Sequence, residues 1–394
     1  MLPSILLAST LTSPNAHSQS VYDALSEGKA NVDLRLRYES VSQDNALEDA
    51  DAFTVRTRLG YQSGDYEGFS FNIEMEDNRI ALGVGDYTVG PAGYNLGQYS
   101  VIADPEFTEL DQGYIQYKND AFTFKVGRQV IAYDGQRFIG HVGWRQDRQT
   151  FDAASAVYAP NNKFKAQYSY ITQRNRIFGE FADLDAKDHL LNLSYKADLG
   201  TLVAYAYLLE VDNDTNNAID TYGFSFKGAK SLEKTKLIYG FEYAAQTAET
   251  ATLDYDTDYL FGEIGATFSG ITAKLGYEVL GSDDGQVGFA TPLATLHKFN
   301  GWSDQFLGTP AQGLRDTILS VSGGLAGGKW LLAYHNFEAD EPSSAVDDLG
   351  SEINLQYTTK VSANYDLGIK YANYSGESGR VDATKIWVWL STKF

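Results

Sequence analysis

The chain has 394 residues, a formal net charge of −21 and no cysteine. Absence of cysteine excludes a disulfide framework and thiolate metal sites, and the acidic balance argues against nucleic acid as a partner. No apolar run reaches the ~20 residues of a membrane helix, whereas 27 tyrosines, 21 phenylalanines and 37 glycines beside 8 prolines favour one large closed sheet.

Residues 1–20 carry a short apolar core from Ile5 to Ala8, then small residues near Ala16-His17-Ser18. They resemble the end of a secretory signal without its basic start. The segment reads as signal-like or disordered, and residues 30–394 as a single β-barrel domain.

Period-2 patterning begins near Asn31 and never gives way to a helical period. Val32, Leu34, Leu36 and Tyr38 alternate with Asp33, Arg35, Arg37 and Glu39; Phe53 to Tyr61 and Phe69 to Met75 repeat the pattern. It recurs at 163–173, 190–196, 221–227, 236–246, 271–279, 352–358, 365–371 and 386–394, with weaker strands at 109–118, 121–129, 150–158, 201–211, 259–268, 315–325 and 329–338. The predicted fold is all-β: an outer-membrane type antiparallel barrel of about 18 strands, most near the ~9–11 residues of a tilted membrane strand.

The connections sort by parity. One side has short turns such as Ser63-Gly64-Asp65, Lys118-Asn119-Asp120 and Ser269-Gly270. The other holds every long loop: 79–108, 130–148, 174–186, 282–314 and 339–350. That asymmetry is the bacterial outer-membrane pattern. A last strand closing on Phe394 resembles the terminal signature of such barrels.

With aromatic residues facing lipid, the opposite parity faces the lumen. Arg35 and Arg37 then sit beside Arg56 and Arg58, with strands ~4.8 Å apart. Lys125 and Lys370 share the inward parity, as do Glu39, Glu74, Glu76, Glu242 and Glu278. Such a sector could bind carboxylated solutes weakly, or pair with the glutamates and stiffen the wall. Trp302, Trp330, Trp387 and Trp389 are expected in interfacial girdles. Asp254-Tyr255-Asp256-Thr257-Asp258 is read as a solvated loop, since it lacks the glycine and glutamate of a calcium loop. The five histidines show no metal-ligand spacing. No catalytic constellation, metal site or cofactor is expected, and the chain is not read as an enzyme.

The stretch from Gly127 to Asp152, GRQVIAYDGQRFIGHVGWRQDRQTFD, is a basic, amide-rich connection in an acidic chain. Gly127-Arg128-Gln129, Asp134-Gly135-Gln136-Arg137-Phe138-Ile139-Gly140, Val142-Gly143-Trp144-Arg145-Gln146 and Gln149-Thr150-Phe151-Asp152-Ala153 resemble the signature region of the alginate export family of outer-membrane proteins. The resemblance implies a monomeric eighteen-stranded barrel and an arginine-lined pore. It also implies that this region folds inward as a constriction. Arg128, Arg137 and Arg145 would be its motif arginines.

Arg35, Arg37, Arg56, Arg58, Lys125, Arg128, Arg137, Arg145 and Arg148 are therefore expected to line the pore. Asp134, Gln136, Trp144 and Gln146 are expected in the constriction. The expected function is passive passage of anionic or polar solutes, such as uronate or alginate-type saccharides, with a general diffusion porin as the alternative. The expected partners are outer-membrane lipid and lipopolysaccharide and small solutes or oligosaccharides. The chain is shorter and more acidic than an alginate exporter, which turns the expectation toward small solutes.

Overall fold

A computed structural model describes residues 20–90, 93–215 and 217–394. Residues 1–19 of the signal-like segment lie outside the described residues. A short helix, α1 (Val21–Ser26), comes first, and Ser20 caps it by accepting from the Asp23 amide at 3.1 Å. Gly64 N–H donates to Ala24 O at 2.8 Å, which holds α1 against the first short turn.

The barrel strands of the first half are β1 (Lys29–Gln43), β2 (Ala50–Gln62), β3 (Phe69–Asp86), β4 (Phe107–Lys118), β5 (Phe122–Gln129), β6 (Thr150–Tyr158), β7 (Phe164–Asn175), β8 (Leu184–Ala197) and β9 (Gly200–Glu210). The second half continues with β10 (Ala218–Ser231), β11 (Thr235–Glu249), β12 (Asp254–Phe268) and β13 (Ile271–Leu280). A two-residue hairpin, β14 (Ser282–Asp283) and β15 (Val287–Gly288), interrupts the wall. It resumes with β16 (Leu314–Leu325), β17 (Gly328–Glu338), β18 (Asp348–Lys360), β19 (Tyr365–Ser375) and β20 (Ala383–Lys393). Consecutive wall strands pair antiparallel, and β20 returns to β1, closing an 18-stranded sheet without an edge.

Alternation decides the two faces. Ile73, Val126, Ile264, Leu275 and Leu319 are exposed on the outside, where hydrocarbon covers them in a membrane. Their neighbours of opposite parity point into the lumen. Asp254–Asp258, expected as a loop, instead begins β12, where Ala245 pairs with Asp258 and Glu249 with Asp254. The extended pairing with β11 supplies the backbone partners that a free loop would have taken from water.

The lumen is not an empty tube. Fixing a loop residue costs about 1–2 kcal/mol, so a long ordered loop needs a core of its own. Ile131, Tyr133, Phe138 and Ile139 from the 130–149 loop and Phe289, Leu293 and Phe306 from the 281–313 loop supply it. They are buried with the inward-facing Tyr205, Tyr207, Tyr259, Phe337 and Tyr374. Phe138 lies 5.1 Å from Tyr259 and 5.9 Å from Phe289, edge to face.

Three tryptophans depart from the expected girdles. Trp387 and Trp389 face the lumen and meet Trp144 edge-on, with ring centres 5.8 and 5.3 Å away, and Trp302 is buried in the 281–313 loop. Trp330 alone of the four sits on the outer face, opposite Tyr357. An inward loop offered these indoles apolar surface that period-2 reading could not assign.

Candidate functional site

Strands β1 to β4 build a charged wall. Arg35 stands directly opposite Arg56, a pairing that would be repulsive on its own. Acceptors around them offset this. Arg56 pairs with Asp33, and Glu76 Oε1 lies 3.8 Å from its Nε. Arg58 reaches Glu76 at 2.7 Å. Asp111 is the extra residue of a bulge opposite Glu74 and Met75, and the bulge aims its carboxylate at the lumen. There it accepts from Arg148 Nε at 2.9 Å, while Arg148 Nη2 donates to Glu74 at 2.5 Å.

The 130–149 loop docks on this wall. Arg35 Nε donates to Gln146 Oε1 at 2.8 Å, and its Nη1 to Gly143 O at 3.2 Å. Arg37 donates to Trp144 O and to Asp104. Gln146 Nε2 donates to Thr54 Oγ1 at 2.7 Å. Buried guanidinium groups need partners for their donors, and carbonyls of the loop supply most of those that Arg35 and Arg37 find, while Arg37 Nε is left without one.

A second loop, 281–313, crosses the lumen from the opposite wall and joins the first. Gly140 N–H donates to Leu293 O at 2.7 Å, and Thr295 N–H to Gln136 O at 3.0 Å. A Cβ on Gly140 would stand 2.4 Å from Thr295 Oγ1, so this crossing depends on glycine. Arg137 Nε donates to Glu278 on β13 at 2.7 Å and its Nη2 to Asn300 at 3.1 Å. Asp134 accepts from Asn192 on β8 at 2.7 Å.

The loops meet the wall at a latch. The Trp144 ring stacks on His297, 4.8 Å between centres and 5° between planes. Lys370 Nζ lies 2.8 Å from His297 Nε2, 3.8 Å from the Trp302 ring centre and 4.3 Å from that of Trp144. An ammonium only donates, so Nε2 accepts, and His297 is neutral with Nδ1–H donating to Asp304 at 2.7 Å. Burial pushes the His297 pKa down to about 3, with Asp304 opposing and Lys370 adding. Burial would raise the Asp304 carboxyl, but His297, Lys385 and Arg145 outweigh it and hold it well below the usual range. Asp147 behaves oppositely: buried, with neither oxygen hydrogen-bonded, it is pushed well up by burial and by Glu109, Glu76 and Asp111.

Of the residues singled out in the sequence, Arg35, Arg37, Arg56, Arg58, Arg137, Arg145 and Arg148 come together on protein acceptors. Gln136, Trp144 and Gln146 lie in the loop junctions. Lys125 faces the lumen over the Tyr114 ring at 4.3 Å. Arg128 does not join them. It shares the outward parity of Phe124 and Val126 and pairs with Asp152 on the outer face at 2.8 Å.

Sequence reasoning gave no role to His297, Lys298 and Asp304, and it assigned Trp302 to a girdle. Their signal was the sheer length of the 281–313 connection, which is functional or disordered by default. Among the described residues no cluster could hold a metal ion.

Open space remains below the loops. A cavity of about 490 Å³ opens against β10 to β17, with Lys227, Lys274 and Lys298 around it.

The family model described as "Alginate export" matches residues 28–279. Solved structures share the fold at low identity. OpdK of Pseudomonas aeruginosa, solved with vanillate, is 13% identical with a TM-score of 0.72, covering 93% of this chain and 98% of its own. OccAB4 of Acinetobacter baumannii is 12% identical with a TM-score of 0.73 over 93% of this chain and 98% of its own. OccK9 (OpdG) of Pseudomonas aeruginosa is 15% identical with a TM-score of 0.72, over 94% of this chain and 100% of its own. No curated protein matches the chain.

Proposed function

Because the chain belongs to the alginate export family, we propose that it passes small anionic solutes, uronates among them, through a lumen that its own loops narrow. The protein is a porin-type channel of the bacterial outer membrane and not an enzyme. One observation supports a narrow lumen for small solutes. Two inward loops are bonded to each other and to opposite walls, through Arg145 to Glu39 and Asp304 and through Arg137 to Glu278. A polymer needs a continuous wide bore. A lumen crossed by a packed loop pair suits solutes of a few rings.

The arginines act mainly as anchors, since their donors go to protein acceptors. That pairing favours a second reading, a general diffusion porin in which the lattice only sets pore size. Planar-bilayer recordings with glucuronate and with a long alginate fragment separate the readings. Interrupted current with glucuronate supports a solute site. Current unaffected by either anion leaves the general porin. Passage of the long fragment overturns the narrow channel.

A further inference from the structure

Three lysines with side chains open to solvent surround one cavity of the lumen. Lys227 on β10 and Lys274 on β13 keep side chains 44% and 34% exposed. Lys227 Nζ lies 2.6 Å from Glu242, and Lys274 Nζ 3.1 Å from Glu263. Lys298, on the 281–313 loop, is different. Its Nζ donates to Gly135 O at 2.8 Å, and among the described residues no carboxylate lies within ion-pair distance. An ammonium has three donors, so two remain for a ligand.

The charges around this cavity do not cancel. Arg137, Lys227, Lys274 and Lys298 supply four positive charges, and Glu242, Glu263 and Glu278 three negative ones, while His335, also in the lining, is paired with Asp316 at 3.0 Å and is counted with it as a neutral pair. One anionic charge completes the balance. A second would face the glutamates. Ring faces flank the same space: Lys298 Nζ lies 5.3 Å from the Phe299 ring centre, and Lys227 Nζ 5.8 Å from that of Phe261. At about 490 Å³ the cavity falls within the ~300–1,000 Å³ of small-molecule sites.

We propose that this cavity is a binding site for a monocarboxylate built on one or two six-membered rings, with Lys298 as the carboxylate ligand and Phe261 and Phe299 as ring platforms. This rests on the channel reading and deepens it. The site lies opposite the arginine wall. It selects one carboxylate over two, which polyuronate recognition would not do. Burial, together with Lys227 and Lys274, lowers the Lys298 pKa, and a bound carboxylate relieves that crowding.

The test pairs binding with conductance on the full chain in detergent and in bilayers. Trp302 lines the cavity, so tryptophan fluorescence reports occupancy. The probes are glucuronate, benzoate and digalacturonate. The expected result is saturable quenching by glucuronate or benzoate, at least tenfold weaker with digalacturonate. Lys298→Gln should weaken it at least tenfold, and Lys274→Gln by less. Binding by glucuronate but not benzoate identifies a pyranose ring as the source, and the reverse an arene. Equal affinity for digalacturonate, or an unchanged Lys298→Gln variant with heat-modifiable mobility intact, overturns the site. Conducting channels without quenching overturn the site and leave the channel. Quenching without conductance leaves the site and overturns the channel.

Discussion

Arg145 donates from one nitrogen to both carboxylate oxygens of Glu39, at 3.1 and 3.0 Å, although 106 residues separate them. Its other terminal nitrogen reaches Asp304 at 3.0 Å. One guanidinium thus ties β1 to both inward loops.

Arg145→Ala should therefore free the loops without unfolding the wall. Breaking one partner of a buried pair costs about 3–5 kcal/mol, and here the cost falls on docking. We expect higher and noisier single-channel current with a heat-modifiable barrel. Unchanged current would mean that the loops hold by their apolar core alone.

The latch should weaken in acid. Folded His297 has its pKa pushed down to about 3 by burial, from an ordinary 6.5. Between those values an undocked loop takes a proton that the docked loop refuses. Docking is then fully favoured above pH 6.5 and loses stability as pH falls toward 3. Recordings at descending pH should show rising current fluctuation, and His297→Gln should flatten that dependence. A wild-type response identical to the variant's would assign the change to another group.

Arg128 and Asp152 pair on the outer face, so Arg128→Ala with Asp152→Ala should leave conductance and glucuronate block as they are. A loss of block would place Arg128 in the solute path.

Gly127 has a φ of +121, and a Cβ there would lie 2.2 Å from Gly113 O. That contact is backbone and cannot swing away. Gly127→Ala should cost about 1–3 kcal/mol through strain and lower the heat-modification temperature. An unaltered temperature would show that β4 and β5 shift to accommodate it.

Strands were legible because lipid on one side and water on the other force strict alternation, as in Val32 to Glu39. Loop parity was legible because periplasmic turns need few residues. The latch was not. Trp387 alternates as any lumen or girdle residue would, and its neighbours are decided by two loops far earlier in the chain, at Trp144 and His297. Arg128 was misplaced for a related reason. Its motif is read along the loop, but its direction is set by the parity of β5. Lys298 carried no local signal, because its cavity is assembled from β10 to β13, β16, β17 and two loops.

The most direct test of the loop-narrowed anion channel is single-channel conductance of the intact protein with glucuronate added. We expect a small conductance interrupted by glucuronate, and a larger one in Arg145→Ala. A large wild-type conductance, indifferent to glucuronate and to Arg145→Ala, would contradict it.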